Sequence, residues 1–149
     1  MLKANFVSAK EAAAKIKDGN TVCTIAMTLV SASESILKEL EKSYLDTGHP
    51  SNLTLLHSCG QSDRKDGIQH LAHEGMVTKI IGSHWGLQPR WMEMIANSQV
   101  EAYCLPQGQI ILFRALKIEQ YLLCLYLSPV PDGRPSSMFF HLPDSLERR

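Results

Sequence analysis

The chain has 149 residues, of which 44% are hydrophobic and 20% are charged. This length is enough for one globular domain, and lysine plus arginine balance aspartate plus glutamate at 15 each, so the composition provides no basic surface for nucleic acid. The first residues lack the apolar run of a secretory signal, and the longest apolar stretch, Tyr121–Leu127, is too short to cross a bilayer. These features predict a cytoplasmic protein that binds neither nucleic acid nor membranes.

The four cysteines lie far apart in the sequence, at Cys23, Cys59, Cys104 and Cys124. No two of them have the CxxC or CxxxC spacing that begins a zinc site or a redox motif. Three lie in or at the end of predicted buried strands, where cysteine usually acts as a small hydrophobic side chain. We therefore expect the cysteines to pack rather than to react.

The first part of the chain alternates between helix and strand. Ser8 and Glu11 form a capping box before a run of alanines, and Gly19 is expected to end this helix. Thr21–Met27 is β-branched and apolar without polar alternation, which predicts a strand covered on both faces. A second capping box, Ser31–Glu34, predicts the start of a longer amphipathic helix.

The alternation then repeats three more times along the chain. The predicted elements are strand Leu53–His57, a helix near Ile68–His73, strand Val77–Ile81, helix Arg90–Asn97, strand Val100–Leu105 and helix Gln109–Ala115. Strands that alternate with helices at this spacing form βαβ units, whose right-handed crossovers cover both faces of a parallel sheet. The predicted fold class is therefore α/β, with a three-layer sheet of mostly parallel strands and helices on both faces.

Ligands bind such sheets in the crevice beyond the carboxyl ends of the strands. The loops expected there are Thr28–Ser33, Cys59–Gly67, Gly82–Pro89 and Pro106–Gly108. Three of the four contain glycine, which permits tight turns or a close approach of the backbone to a ligand. The loops alone predict an α/β ligand-binding domain and no particular reaction.

Several segments at or near these loops have a more specific pattern. They are Gly48–Pro50 followed by Asn52–Leu55, then Leu71–Gly75, Gly82–Gly86 and Ala102–Gly108. In order and spacing they resemble consecutive signatures of the family I coenzyme A transferases, which include the bacterial acetate, propionate and acetoacetate CoA-transferases. The resemblance covers Ser8 to about Ala115 and is greatest to the single-chain members, in which two α/β halves are fused.

The resemblance implies a double displacement with acyl-CoA and a short carboxylate as substrates, no covalently bound cofactor and no metal. A glutamate attacks the thioester, an acyl-glutamyl anhydride forms, and returning CoA leaves a glutamyl-CoA thioester. The reaction relies on binding energy from the remote part of CoA and on donors aimed at the developing oxyanion. In the family this glutamate belongs to the second half. None of the nine glutamates of this chain lies in its motif, so the resemblance implies that this chain holds no catalytic residue and is inactive alone.

Five residues are candidates for lining the substrate or CoA pocket: Gly60, His84, Trp85, Gln107 and Gly108. The amide of Gln107 could donate a hydrogen bond to a thioester or carboxylate oxygen, although a turn residue between proline and glycine is an equally good interpretation. Trp85 could form a flat apolar wall of the pocket or fill the core. His84 could line the pocket or be a hydrogen-bonded loop histidine.

Two other groups have simpler interpretations. His70 and His73 lie three residues apart on a predicted helix with Glu74 beside them, but no third ligand follows at a recognisable spacing, so we expect no metal site. Arg64 and Lys65 could attract the phosphates of CoA, although a solvated turn explains a mixed-charge run equally well.

The loop after the first strand departs from the family pattern. The family has a glycine-rich turn followed by proline there, and residues 26–33 contain neither. If the loop uses positive φ angles or approaches a ligand closely, the side chains of Thr28 and Val30 would obstruct it.

The resemblance ends abruptly after Ala115. A glycine-free apolar run, Leu116–Leu127, is followed by a segment interrupted by prolines. We interpret residues 1–115 as a truncated N-terminal domain of a CoA-transferase, incomplete in its fold, and residues 116–149 as a divergent tail. A frameshift, a gene fragment or a truncation would each give such a tail, and we expect it to pack poorly or to be partly disordered. Tyr121–Leu127 could still add a strand or a short helix.

Three functional hypotheses follow from the sequence. The chain is an N-terminal fragment of an acyl-CoA:carboxylate CoA-transferase, a non-catalytic remnant that binds through exposed apolar surface, or a small subunit of a two-chain CoA-transferase. The expected partners are acyl-CoA and short carboxylates, together with a second CoA-transferase half or further copies of the chain.

Overall fold

A computed structural model describes residues 6–110, 123–127 and 138–139. Its strands are β1 (Thr21–Thr24), β2 (Leu53–His57), β3 (Val77–Gly82), β4 (Glu101–Cys104), β5 (Leu123–Leu127) and β6 (Met138–Phe139). They form one sheet in the order β4-β3-β2-β1-β5-β6. β1 to β5 pair in parallel, and β6 is antiparallel to β5.

The helices of the described residues alternate with the strands. They are α1 (Ala9–Ala13), α2 (Glu34–Thr47), a 3₁₀ helix (Gly67–Leu71) and α3 (Pro89–Ala96), and residues 107–110 are also helical. No helix in this part of the chain is long and apolar enough to span a bilayer.

The direction of the chain across the sheet decides which face each helix covers. β1 to β4 follow one another in order, so right-handed crossovers put α2, the 3₁₀ helix and α3 on the same face. Their apolar side chains form one cluster with residues such as Leu55 and Ile80. The return from β4 to β5 runs the opposite way, and Ile110 packs against Cys23 on the other face. The predicted α/β class with mostly parallel strands and helices on both faces is confirmed.

The predicted ends of the first two elements were wrong. The capping box of Ser8 and Glu11 is present, but α1 ends at Ala13, well before Gly19. β1 ends at Thr24 rather than at residue 27. Beyond that strand the chain turns back on itself, since residues 27 and 30 form an isolated antiparallel bridge with N–O distances of 3.2 and 2.9 Å.

The second predicted capping box does not form. The N-cap of α2 is Ser33, whose side chain makes no capping hydrogen bond, and Ser31 has a φ of 63°. The carboxylate of Glu34, which would have closed the box, instead accepts a hydrogen bond from the Gly67 N–H at 3.0 Å and contacts His70. A long-range contact has replaced the local cap, and the helix predicted near Ile68–His73 is a 3₁₀ helix ending at Leu71.

β4 forms one edge of the sheet, which exposes its side chains. Tyr103 and Cys104 are both exposed. The expectation that the cysteines are buried is therefore wrong for Cys104, although Cys23 is buried and Cys59 is half-buried.

The segment after the predicted boundary at Ala115 adds strands to the sheet. β5 pairs with β1 from Val22 opposite Leu123 to Thr24 opposite Leu125. The strand alternative for Tyr121–Leu127 is confirmed over these residues. The rest of the predicted helix Gln109–Ala115 beyond residue 110 and most of the tail lie outside the described residues.

We expect Gly67→Ala to destabilise the fold strongly. Gly67 has a φ of 78°, and a Cβ there would overlap the carbonyl oxygen of Gln61. Gly19 has a similar φ of 73° but faces open space. The free energy of unfolding should fall by at least about 3 kcal/mol for Gly67→Ala, which adds a backbone clash to the strain, and by only about 1 kcal/mol for Gly19→Ala. Urea denaturation of both variants measures the difference, and equal losses would contradict the clash.

Candidate functional site

The loops after β1 and β2 are joined at the carboxyl edge of the sheet. Three hydrogen bonds connect them: Thr28 N–H to Gly60 O at 3.0 Å, Cys59 Sγ to Ala26 O at 2.9 Å, and Gln61 Nε2 to Thr24 O at 3.0 Å. We call residues 25–33, 58–66 and 83–88, which follow β1, β2 and β3, the platform. They include most of the region where the sequence predicted a ligand crevice.

The loops after β2 and β3 are joined by a buried glutamine. The amide nitrogen of Gln88 donates to the carbonyl of His84 at 3.0 Å, and its amide oxygen accepts the N–H of Gln61 at 2.9 Å. The Ser83 hydroxyl also donates to the carbonyl of Ser58. A buried polar group left unpaired costs about 1–3 kcal/mol, so these contacts hold the three loops in one arrangement. The platform is therefore preorganised before any ligand binds.

His57 is the titratable group at the centre of this platform. Its side chain is fully buried, and Nδ1 lies 2.8 Å from the Cys59 carbonyl, so Nδ1 carries the proton. Nε2, and Oγ1 of the paired residue Thr24, lack a hydrogen-bond partner among the described residues. Burial lowers the pKa of His57 from 6.5 to about 4, although the hydrogen bond to the Cys59 carbonyl acts to raise the pKa. The imidazole is therefore neutral. Sequence reasoning missed it, although a polar residue ending an apolar strand was a signal.

Gly82 makes room for the His57 ring. A Cβ at Gly82 would overlap the imidazole. The ring also contacts Trp85 in a T-shaped arrangement, with ring centroids 4.9 Å apart and planes at 75°. Trp85 also packs against the main apolar cluster, so its role as a packing residue, one of the two predicted alternatives, has direct structural support.

The structure brings together three of the five predicted pocket residues. Gly60 is buried, and a Cβ on it would lie 3.0 Å from Cδ2 of His84, which is exposed next to Trp85. Gln107 and Gly108 follow the edge strand β4. Both are exposed at the start of the helical residues 107–110. The predicted pocket residues thus come from the platform and from the segment that follows the edge strand.

The loop after β1 uses left-handed backbone conformations without glycine. Thr28 has a φ of 54° and Ser31 of 63°. Such angles cost about 1–2 kcal/mol for residues with a side chain. Between them, Val30 is 65% exposed, and neighbouring Met27 is 68% exposed. This loop lies where the strand order reverses between β1 and β5, the usual ligand position in such sheets, so a ligand there would meet apolar side chains.

The mixed-charge run after β2 forms a turn. Asp63 Oδ1 accepts N–H groups from Lys65 at 3.0 Å and Asp66 at 2.9 Å, and these backbone bonds lower the pKa of Asp63. Arg64 and Lys65 are exposed. The geometry agrees with the solvated-turn interpretation and brings neither cation into contact with the predicted pocket residues.

His70 and His73 lie in a cluster with carboxylates from α2 rather than with Glu74. His70 contacts Glu34 through Nε2 at 2.8 Å and Glu41 through Nδ1, and His73 Nε2 lies 2.8 Å from the second oxygen of Glu41. Burial alone would lower the pKa of His70, but hydrogen bonds with Glu41 and Glu34 outweigh it and raise the pKa. This pairing could not be predicted from local sequence pattern, because the partners are about 30 residues apart.

The described residues also form a groove at the opposite end of the sheet. It has a volume of about 300 Å³ and lies between α1 and α2, lined by residues that include Lys10, Ala13 and Lys42. Since it is remote from the carboxyl ends of the strands, it does not coincide with the platform.

The buried neutral His57 predicts a specific loss of stability in acid. Its pKa is about 4 in the folded state, below the ordinary 6.5, so the unfolded chain binds this proton first as the pH falls. The contribution of neutral His57 to the free energy of unfolding is fully present above about pH 6.5. It declines by up to about 3 kcal/mol as the pH falls to 4. Urea denaturation between pH 7.5 and 4 should show a flatter pH dependence for His57→Gln than for the unmodified chain. His84→Gln, which removes an exposed imidazole nearby, is the control, and equal flattening in both would contradict the assignment.

Comparison with known proteins identifies the family of this chain. The family model described as coenzyme A transferase matches residues 6–115. The caffeate CoA-transferase of Acetobacterium woodii is 37% identical over 109 residues, which are 72% of this chain and 21% of the relative. The acetate CoA-transferase YdiF of Escherichia coli K12 is 36% identical over 104 residues, covering 68% of this chain and 20% of YdiF. The chain thus spans about a fifth of the length of these relatives.

Solved structures agree at the level of the fold. The acyl-CoA transferase YdiF of Escherichia coli O157:H7, as a thioester complex with CoA, matches 91% of this chain and 32% of that chain with a TM-score of 0.65 and 24% identity. Its apoenzyme matches with a TM-score of 0.66, 23% identity and coverage of 94% and 33%. Together with the family match over residues 6–115, and as the sequence resemblance predicted, these findings show that the chain belongs to the coenzyme A transferase family.

Proposed function

We propose that residues 6–115 form the part of an acyl-CoA:carboxylate CoA-transferase that shapes the acyl pocket, while a second α/β half supplies the glutamate nucleophile. The family match over these residues is the observation that carries the proposal. Acyl-CoA and a short carboxylate are the proposed substrates, and the cytoplasm is the proposed compartment. In this proposal the family-like domain ends at Ala115, where the family match also ends.

The platform suits a reaction that depends on fixed geometry. A carboxylate is a weak nucleophile in water, so transfer to and from a glutamate needs an acyl group held at a defined distance from it. The hydrogen bonds of Gln61 and Gln88 fix the loops that would lie beneath the acyl group. In this proposal Gly60 allows close approach, while His84 and Trp85 line one wall.

Gln107 is the proposed donor to the reacting carbonyl. Its amide is exposed beside Gly108, and a Cβ added at Gly108 would meet nothing within 4 Å. An exposed amide can turn toward a thioester oxygen and stabilise the charge that develops on it.

The chain alone should not transfer CoA. We expect no acetyl-CoA from propionyl-CoA and acetate when the purified 149-residue chain is assayed by chromatography, because the proposed nucleophile lies outside it. Turnover by the chain alone would contradict the proposal that a second half supplies the nucleophile. If no transfer is seen, calorimetric titration with CoA in the same buffer distinguishes a half-enzyme that binds CoA from an interaction module that does not.

A chimera tests the proposed role of Gln107. In it, residues 6–115 replace the matching segment of the E. coli acetate CoA-transferase YdiF, which is 36% identical over 104 residues. We expect CoA transfer by the chimera, and a fall in kcat/KM of at least about tenfold for Gln107→Ala, since a lost donor to the oxyanion slows such reactions. Gln109→Ala, two residues away and also exposed, is the matched control. A folded chimera without transfer, or equal losses in both variants, would contradict the proposal.

A further inference from the structure

We propose that Glu34, Asp66 and His70 form a binding site for a divalent transition-metal ion, with zinc as the best match. Each offers one ligand atom, and the three atoms lie within 4.8 Å of one another at half-buried positions. The residues come from the first turn of α2, from the loop after β2 and from the 3₁₀ helix. From the sequence we expected no metal site at His70 and His73, since Glu34, which would help to complete it, lies 36 residues from His70 along the chain.

The carboxylate of Glu34 and the backbone of Asp66 are each held by a hydrogen bond outside the site. Glu34 Oε2 accepts the Gly67 N–H at 3.0 Å, which leaves Oε1 facing the ring of His70 at 2.8 Å. The Asp66 N–H donates to Asp63 at 2.9 Å, and Asp66 Oδ1 lies 3.4 Å from His70 Nε2. The three donor atoms therefore converge without a change of the backbone, which is the main requirement for a preformed metal site.

The other nitrogen of His70 has the partner that metal-binding histidines usually have. Its Nδ1 contacts the carboxylate of Glu41. Glu41 is itself held by His73 at 2.8 Å and by Arg90 Nη1 at 3.6 Å. A carboxylate behind the imidazole fixes the ring and makes the coordinating nitrogen a better ligand. Glu41 belongs to α2, as Glu34 does. The imidazole of His70 would therefore be linked to α2 by the metal ion on one side and by Glu41 on the other.

The ligand set selects the class of metal. One imidazole nitrogen with two carboxylate oxygens suits zinc or cobalt better than magnesium or calcium, which prefer oxygen ligands only. Three protein ligands leave a position for water, and Glu34, Asp66 and His70 are all partly accessible to it.

Lys38 is the natural competitor of the metal ion. Its Nζ lies 3.2 Å from Glu34 Oε1 and 3.7 Å from Asp66 Oδ1, the same two oxygens that would bind the ion. The Lys38 side chain is 54% exposed, so its ammonium group can swing into solvent when the ion enters. Removing this charge should therefore strengthen metal binding, whereas damage to the fold could only weaken it.

The test uses the tag-free 149-residue chain after removal of metals with a chelator. Zinc binding is measured by calorimetry, and cobalt binding by the visible absorption of the bound ion. We expect one ion per chain, with zinc affinity about 100-fold lower in His70→Gln and about tenfold lower in Asp66→Asn. Lys38→Met should bind about fivefold more tightly. Lys42→Met, which removes the same charge one turn further along α2, should leave the affinity unchanged.

Several outcomes would overturn the site. They are no saturable binding of zinc or cobalt, equal affinity in His70→Gln and the unmodified chain, or equal effects of Lys38→Met and Lys42→Met. None of these variants changes Gln107, and metal binding is measured on the 149-residue chain rather than on the chimera, so the result stands apart from the test of CoA transfer. Tighter binding by Lys38→Met, together with weaker binding by Asp66→Asn, would identify the two carboxylates as ligands even if His70→Gln failed to fold.

Discussion

Parallel pairing of β1 to β4 in chain order is the constraint on which the rest of this structure depends. It sends every carboxyl end to the same edge of the sheet and every right-handed crossover to the same face. The loops after β1, β2 and β3 must then share a small volume. Their backbone groups become buried and need partners that no helix or strand provides. Gln61 and Gln88 provide them, so the topology itself creates the demand for buried polar side chains at the proposed site.

The same crowding explains the pairing of glycine with a buried imidazole. His57 ends β2, and Gly82 ends β3 beside it, where only a residue without Cβ leaves room for the ring. Enclosure of the ring lowers the pKa of His57 by desolvation. Packing density and proton affinity at this position therefore have one cause. Any substitution that enlarged residue 82 would have to displace the imidazole.

The sequence predicted the features that depend on local pattern and missed those that depend on distant contacts. Leu53–His57 was predicted with its observed limits, because a short apolar run between turn residues is typical of a buried strand. The start of α2 was wrong because Glu34 bonds Gly67 and His70, more than 30 residues away, instead of closing a capping box. The loops of the proposed site were found from topology and resemblance. Their cross-links were not, since a buried glutamine and a surface glutamine look alike in a sequence.

The carboxylate and histidine cluster is connected to the platform through one short segment. Glu34 binds the N–H of Gly67, and next to it the N–H of Ile68 donates to the carbonyl of Gln61 at 3.0 Å. Gln61 in turn holds the loop after β1 and, through Gln88, the loop after β3. Order at Glu34 therefore favours the turn that presents Gln61, whether a proton on His70 or a metal ion supplies the neutralising charge. The surface cluster is in this sense part of the support of the proposed acyl pocket, although none of its carboxylates lies in that pocket.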